Sequence, residues 1–304
     1  MQMGSDLDGA DAGLSPAPPI PGERLHHLFH SITFGVFALL LVTLIYTLVL
    51  SLKDHVNRLV LQILAAGFSD AALLLQSWLY LTVADGREFR SLGLSFRPGW
   101  FKELSAGLAA GAALIGAVTG IMVVVHVVQY TGVARLSWGG AAPLAVTGLF
   151  LLLAAALEEI GFRGYAFQRL VDATGALGAV AITSFLFGLG HFGNPAATPL
   201  SVANTALAGA VMALGYLRTR GLWFPIGLHF AWNFVLGPLA SFPVSGIGLM
   251  SVFNVRVAGP IWLTGGDYGP EGSVILTVVC LGGIVLLGRG SGIVSSRRRL
   301  NAVE

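Results

Sequence analysis

The sequence predicts an all-α fold, a polytopic membrane helical bundle of about eight transmembrane helices. Three observations carry that expectation. Hydrophobic residues make up 55% of the 304-residue chain and charged residues 11%, where soluble domains carry about 25% charged residues. Mean hydropathy is +0.79, so there are too few polar groups to cover a water-facing surface. The apolar residues also fall into separate runs. At about 1.5 Å per residue, most are long enough to cross a hydrocarbon core of about 30 Å.

Taken in order, residues 1–22 are rich in Gly, Asp, Ser and Pro and read as a disordered tail. They lack a basic stretch followed by an apolar core and small-residue site, so no cleaved signal peptide is expected. A first unit, 23–140, holds spans at 32–52, 59–83 and 104–128. His26, His27 and His30 precede the first span and read as a solvated interfacial cluster. Asp70 and Gln76 lie inside the second span, where the acid is expected to pair with Gln76 or with a neighbouring helix. The third span is rich in Gly and Ala, which suits close packing in lipid, and places His126 near the interface. A loop with Arg135 and Trp138 follows. A second unit, 141–240, holds spans at 142–162, 177–192, 200–217 and 222–239. A third, 241–288, starts with a Gly/Pro-containing segment, 242–272, expected to lie along the interface, and ends with a span at 274–287. Residues 289–304 form a basic tail whose Arg297, Arg298 and Arg299 anchor topology on anionic lipid. Trp138, Trp223 and Trp262 are expected at headgroup level.

The charges fit this plan. With both termini cytoplasmic, thirteen of the 17 Lys and Arg residues fall on the inside; only Lys53, Arg58, Arg135 and Arg256 lie outside. That is a strong positive-inside bias and requires an even number of spans. A net charge of +2 gives no reason to expect a nucleic-acid partner. Cys280 is the sole cysteine, so an intramolecular disulfide and a cysteine metal cluster are both excluded.

The chemistry starts at Glu158 and Glu159, which close an apolar run over 149–157. A charge near the bilayer centre costs about 2.5–3.5 kcal/mol on insertion scales, so an acid there reads as a functional group. Residues four apart share a helix face, and a carboxylate N-terminal to its base is the favourable order. Glu159 is therefore expected to be neutralised by Arg163, leaving Glu158 to face a cavity. His191 ends another apolar run, and His229 and Asn233 stand four apart on a third helix. Each is costly in lipid unless it meets a partner or water, and one shared polar cavity satisfies all of them. Such a group suits a divalent metal, Zn²⁺ foremost, held by Glu158, His191 and His229. It equally suits general-base hydrolysis, with Glu158 and His191 activating water and His229 and Asn233 donating to an oxyanion. The spacing is not HExxH, and no GxSxG elbow is present.

Glu158-Glu159-x-x-Phe162-Arg163-Gly164, Phe187-x-x-x-His191 and His229-x-x-x-Asn233, in that order, resemble the CPBP family of intramembrane metalloproteases. This is the family of the CAAX prenyl endopeptidases and of bacterial bacteriocin-immunity proteins. The resemblance covers about 142–239. It implies membrane helices around a conical polar cavity open to the cytoplasmic side and laterally to lipid. It also implies Glu158 and His191 as the residues that position the hydrolytic water, His229 and Asn233 as the oxyanion support, and Arg163 as the holder of Glu159. The implied protein is a multi-pass intramembrane endopeptidase, expected in a bacterial plasma membrane, acting on a peptide or lipidated protein, CAAX-type prenylated substrates included. Two other classes compete: a proton-coupled transporter using Asp70, Glu158 and the histidines, and a non-catalytic binding or immunity protein. Against the transporter, no internal repeat is evident and the polar groups cluster at one depth.

Overall fold

The computed structural model describes residues 21–134 and 141–289. The tail at 1–20, Arg135, Trp138 and the Arg297–Arg299 cluster lie outside the described residues. Eight helices of twelve residues or more occupy the regions expected from the apolar runs: α1 (Pro21–Leu50), α2 (Arg58–Leu79), α3 (Trp100–Val124), α4 (Ala141–Arg163), α5 (Tyr165–Gly190), α6 (Pro199–Thr219), α7 (Trp223–Phe234) and α9 (Val274–Gly288). A single helical turn, α8 (Ile261–Thr264), precedes the last of them. Their outer faces carry exposed apolar residues such as Leu39, Phe37, Val278 and Leu286, as a lipid-facing surface requires.

Local signals set the helix ends. Asn57 caps α2 by accepting from the Leu59 amide. Thr198 and Ser201 close a reciprocal capping box at the start of α6, with Pro199 in the first turn, where its missing N–H costs nothing. α1 starts eleven residues before the expected span because its first turns pack on α5: Ser31 donates to the Ala166 carbonyl and His30 Nδ1 lies 3.0 Å from the Tyr165 hydroxyl. His30 also lies 3.5 Å from an Asp85 oxygen, so of the expected solvated histidine cluster only His26 is exposed.

Four further points depart from the sequence reading. Among the described residues, five helical segments are long and apolar enough to cross a membrane, one of them the joined 50-residue stretch Ala141–Gly190. α7 has only 12 helical residues before it widens into a π-turn at Val235–Leu239, which contains Pro238. The fold is not purely helical either: β1 (Val128–Val133) and β2 (Phe253–Val257) pair antiparallel, tying the end of α3 to the 242–272 segment. Asp70 does not pair with Gln76, whose amide donates instead to the Phe34 carbonyl. Separately from these, Trp223 packs against Phe96 and Trp100 and donates to the Ser95 carbonyl, tying the start of α7 to the loop before α3.

Two features place the site. Phe162 and Phe187 pack edge to face, so the chain runs past Gly164, breaks helix at Gly175 (φ 80°), and returns along α4. This brings the C-terminal end of α5 back beside Glu158. α7 is drawn in by α3. A Cβ on Gly107 would lie 2.1 Å from the Phe224 carbonyl oxygen, and one on Gly111 would lie 2.1 Å from that of Leu228. Lipid offers helices no hydrophobic drive to associate, so such backbone contact supplies the dispersion that holds them. The buried apolar side chains divide accordingly. One cluster joins α1, α2, α4, α5 and α6; the other joins α3, α6, α7 and α9.

Gly111→Ala must push α7 outward and is expected to cost about 1–3 kcal/mol, the usual range for overpacking. Gly116→Ala, whose added Cβ meets nothing within 4 Å, is the control. Thermal unfolding in detergent distinguishes them; equal melting temperatures would refute the close-packing argument.

Candidate active site

Glu159 and Arg163 lie one turn apart on α4 and are both fully buried, with Arg163 Nη1 2.9 Å from Glu159 Oε1. The second guanidinium nitrogen, Nη2, donates to the Gly209 carbonyl at 3.0 Å, and the guanidinium carbon sits 4.5 Å from the Phe187 ring centre. Glu159 Oε1 also meets His229 Nδ1 at 2.9 Å. The pair thus joins α4, α5, α6 and α7 at one point.

Glu158, the next residue, is different. Its side chain is 34% exposed, and its Oε2 faces His229 Nε2 at 3.8 Å and His191 Nε2 at 4.0 Å. The far nitrogen of each ring is held. His191 Nδ1 is 2.8 Å from the Phe187 carbonyl; a carbonyl only accepts, so Nδ1 carries the proton there. His229 Nδ1 faces a carboxylate already engaged by Arg163 and donates in the same way. In its neutral form each ring would turn an Nε2 lone pair toward Glu158 Oε2, which has no hydrogen-bond partner among the described residues. In that form three acceptors converge, which proton donors or a cation would satisfy.

Both possibilities can be tested against the distances. The donor set, two imidazoles and a carboxylate with hydrogen-bonded outer nitrogens, is the type that holds zinc. Two ligands about 2.1 Å from a tetrahedral ion stand only about 3.4 Å apart, which is closer than the nitrogens stand to Glu158 Oε2. Among the described residues no group of three or more His, Cys, Asp or Glu is arranged to hold a metal ion. In this geometry the residues do not fit the expected zinc. A water molecule, whose hydrogen-bond angles are softer, can donate to two of these acceptors, one per proton.

The sequence-derived residues Glu158, Glu159, Arg163, His191 and His229 are thus in mutual contact, drawn from α4, α5 and α7. Asn233 lies one turn beyond His229 on the same helix, half-buried. Sequence reasoning missed Glu271. It follows Pro270 in a short 3₁₀ turn before α9 and is buried. One of its oxygens accepts from the Trp232 indole at 2.9 Å, and the other from the Ser245 amide and hydroxyl. Burial pushes its carboxyl pKa up, while the Ser245 amide and the Trp232 indole oppose that rise. Its only sequence signal is an acid placed directly ahead of the apolar run of α9.

A helical membrane bundle with a buried carboxylate–histidine centre is the class that fold and site define. Residues 140–235 match the family model described as Type II CAAX prenyl endopeptidase Rce1-like, which supports the resemblance to the CAAX proteases drawn from the three motifs. No curated protein matches the chain.

Replacing Arg163 alone would leave the Glu159 charge buried without compensation, a change that costs about 3–5 kcal/mol. Arg163→Met is expected to destabilise by that amount in thermal unfolding, and the pair Arg163→Met with Glu159→Gln to recover part of it. An Arg163→Met variant as stable as the parent would refute the role of the pair.

Proposed function

We propose that the protein is an intramembrane endopeptidase that hydrolyses a peptide bond in a membrane-associated, CAAX-type lipidated substrate, with its site reached from the cytoplasmic side. The observation that carries the reading is the convergence of both His Nε2 atoms on Glu158 Oε2, within the segment that matches the family. In the reaction, water sits against Glu158 and His191. Glu158 takes one of its protons as the oxygen attacks the scissile carbonyl carbon, a general-base step worth about 10²–10⁴-fold. The C–N bond then breaks, and the proton held by Glu158 passes to the leaving amine. The net change is one water consumed and one acid and one amine released.

Charge develops on the carbonyl oxygen, and His229 and Asn233 are the groups assigned to it. His229 can donate from Nε2 only when the ring carries both protons, and Glu159 at Nδ1 compensates the charge of that state. The two adjacent acids therefore divide the work. Glu158 moves a proton, and Glu159 holds the imidazole that stabilises the oxyanion. The zinc expected from the sequence would require Glu158, His191 and His229 to close by about 0.5 Å, and no step of this mechanism passes through it.

Cleavage of fluorogenic prenylated peptides by the detergent-purified protein tests the reading. Glu158→Gln is expected to lower kcat by about 10²–10⁴-fold and Asn233→Ala by about 10²–10³-fold. Full activity in Glu158→Gln would refute the mechanism. A chelator arm decides the metal: retained turnover supports the bare glutamate base, whereas loss that is restored by Zn²⁺ establishes the ion.

A further inference from the structure

The two histidines of the site sit on different helices, and the segments that carry them are linked to the same side chain, through Trp232 for His229 and through Asn194 and Ser245 for His191. From His229 the path runs one turn along α7 to Trp232, whose indole donates to Glu271 Oε1 at 2.9 Å. From His191 it runs through the turn that follows α5, where the Asn194 amide nitrogen bonds the His191 carbonyl. The Asn194 side chain then donates to the Ser245 carbonyl at 3.1 Å, and the Ser245 amide and hydroxyl both point to Glu271 Oε2. Each oxygen of one buried carboxylate therefore holds the segment that carries one histidine.

The structure around Glu271 is built to fix it. Asn204 on α6 donates to the carbonyls of Glu271 and Ser273 at 2.9 and 2.8 Å, and Thr277 donates to Asn204 Oδ1 at 2.6 Å. Val244 and Ile247 bond each other's backbone across a tight turn with Ser245 at φ 48° and Gly246 at φ 81°, the left-handed pair of a type I′ turn. Serine adopts that conformation at a cost, which its two bonds to the carboxylate offset. A Cβ on Gly246 would lie 2.0 Å from the Pro195 carbonyl oxygen, so the turn presses directly on the loop that follows His191.

We infer that Glu271, outside the segment that matches the family, is a positioning residue that sets the separation of His191 and His229 around Glu158. The inference rests on the hydrolytic reading of that site. It assigns the 242–272 segment a role in the chemistry, as a clamp on the segments that carry the two histidines. Glutamine in its place keeps one acceptor oxygen where three donors from two segments now share two, so the segment carrying one histidine must loosen.

Two measurements on the full chain in nanodiscs test it. The first reads the imidazole ¹⁵N resonances of His191 and His229, assigned through His191→Gln and His229→Gln. Glu271→Gln is expected to shift or broaden at least one of them, and Asn194→Ala that of His191; unchanged rings in Glu271→Gln would overturn the inference whether or not a substrate is cleaved. The second is turnover per folded molecule. Glu271→Gln is expected to lower kcat by about 10–100-fold, as loss of an outer-shell partner does, with KM little changed and Glu271→Asp recovering part of the loss. If the loss tracked only the folded fraction, the residue would be structural and the inference wrong. Wild-type cleavage abolished by Glu158→Gln shows independently that the underlying reading stands.

Discussion

Everything at the centre of this protein depends on the buried Glu159–Arg163 pair. Two unpaired charges inside a bundle without water would each cost several kcal/mol, and their contact at 2.9 Å removes that penalty only because both are also hydrogen-bonded. Arg163 reaches the Gly209 carbonyl and Glu159 reaches His229. An ion pair that merely offset its own desolvation would add nothing, and hydrophobic residues would serve as well. What this pair adds is direction. It fixes the His229 ring and seats an arginine under Phe187, whose carbonyl fixes the His191 ring.

That constraint explains the packing around it. A helix as short as α7 cannot cross the hydrocarbon core by itself at about 1.5 Å per residue, so it must be held by neighbours. The glycine face of α3 lets its backbone touch that of α7. Gly188 does the same between α5 and α6, where an added Cβ would lie 2.6 Å from the Val202 carbonyl oxygen. Glycine at these positions therefore serves the site indirectly, since a larger residue would separate the helices that carry the two histidines.

The parts legible in the sequence were those whose cost in lipid is local. Glu159 and Arg163, and likewise His229 and Asn233, announce a shared face through a spacing of four, and a polar residue inside an apolar run announces a partner. Helix positions followed from the apolar runs for the same reason. What was not legible depends on contacts distant in sequence. Glu271 meets Trp232 across 39 residues and Ser245 across 26, and no periodicity encodes such a closure. The β1–β2 pairing joins segments of unremarkable composition more than a hundred residues apart. The return of α5 turns on the single backbone angle at Gly175, and glycines are too frequent in this chain, at 41, for one to stand out. The expectation that Asp70 would pair with Gln76 or a neighbouring helix is not met among the described residues: Gln76 donates to a backbone carbonyl on α1 instead, and neither Asp70 oxygen has a hydrogen-bond partner.

Adjacent acids in one sequence ordinarily repel and titrate together, yet here the helix separates them. Neighbouring side chains point about 100° apart, so one turns into the bundle toward its arginine and the other into the space between two imidazoles. Their surroundings differ accordingly. Glu159 at 0% exposure meets Arg163 and His229, whereas Glu158 at 34% exposure faces the two imidazoles, with no bonded partner at Oε2 among the described residues. The same dipeptide could not be reversed: an exposed Glu159 would lose Arg163, and a buried Glu158 could not reach water. The order of the two acids is therefore dictated by the i,i+4 position of the arginine that follows them.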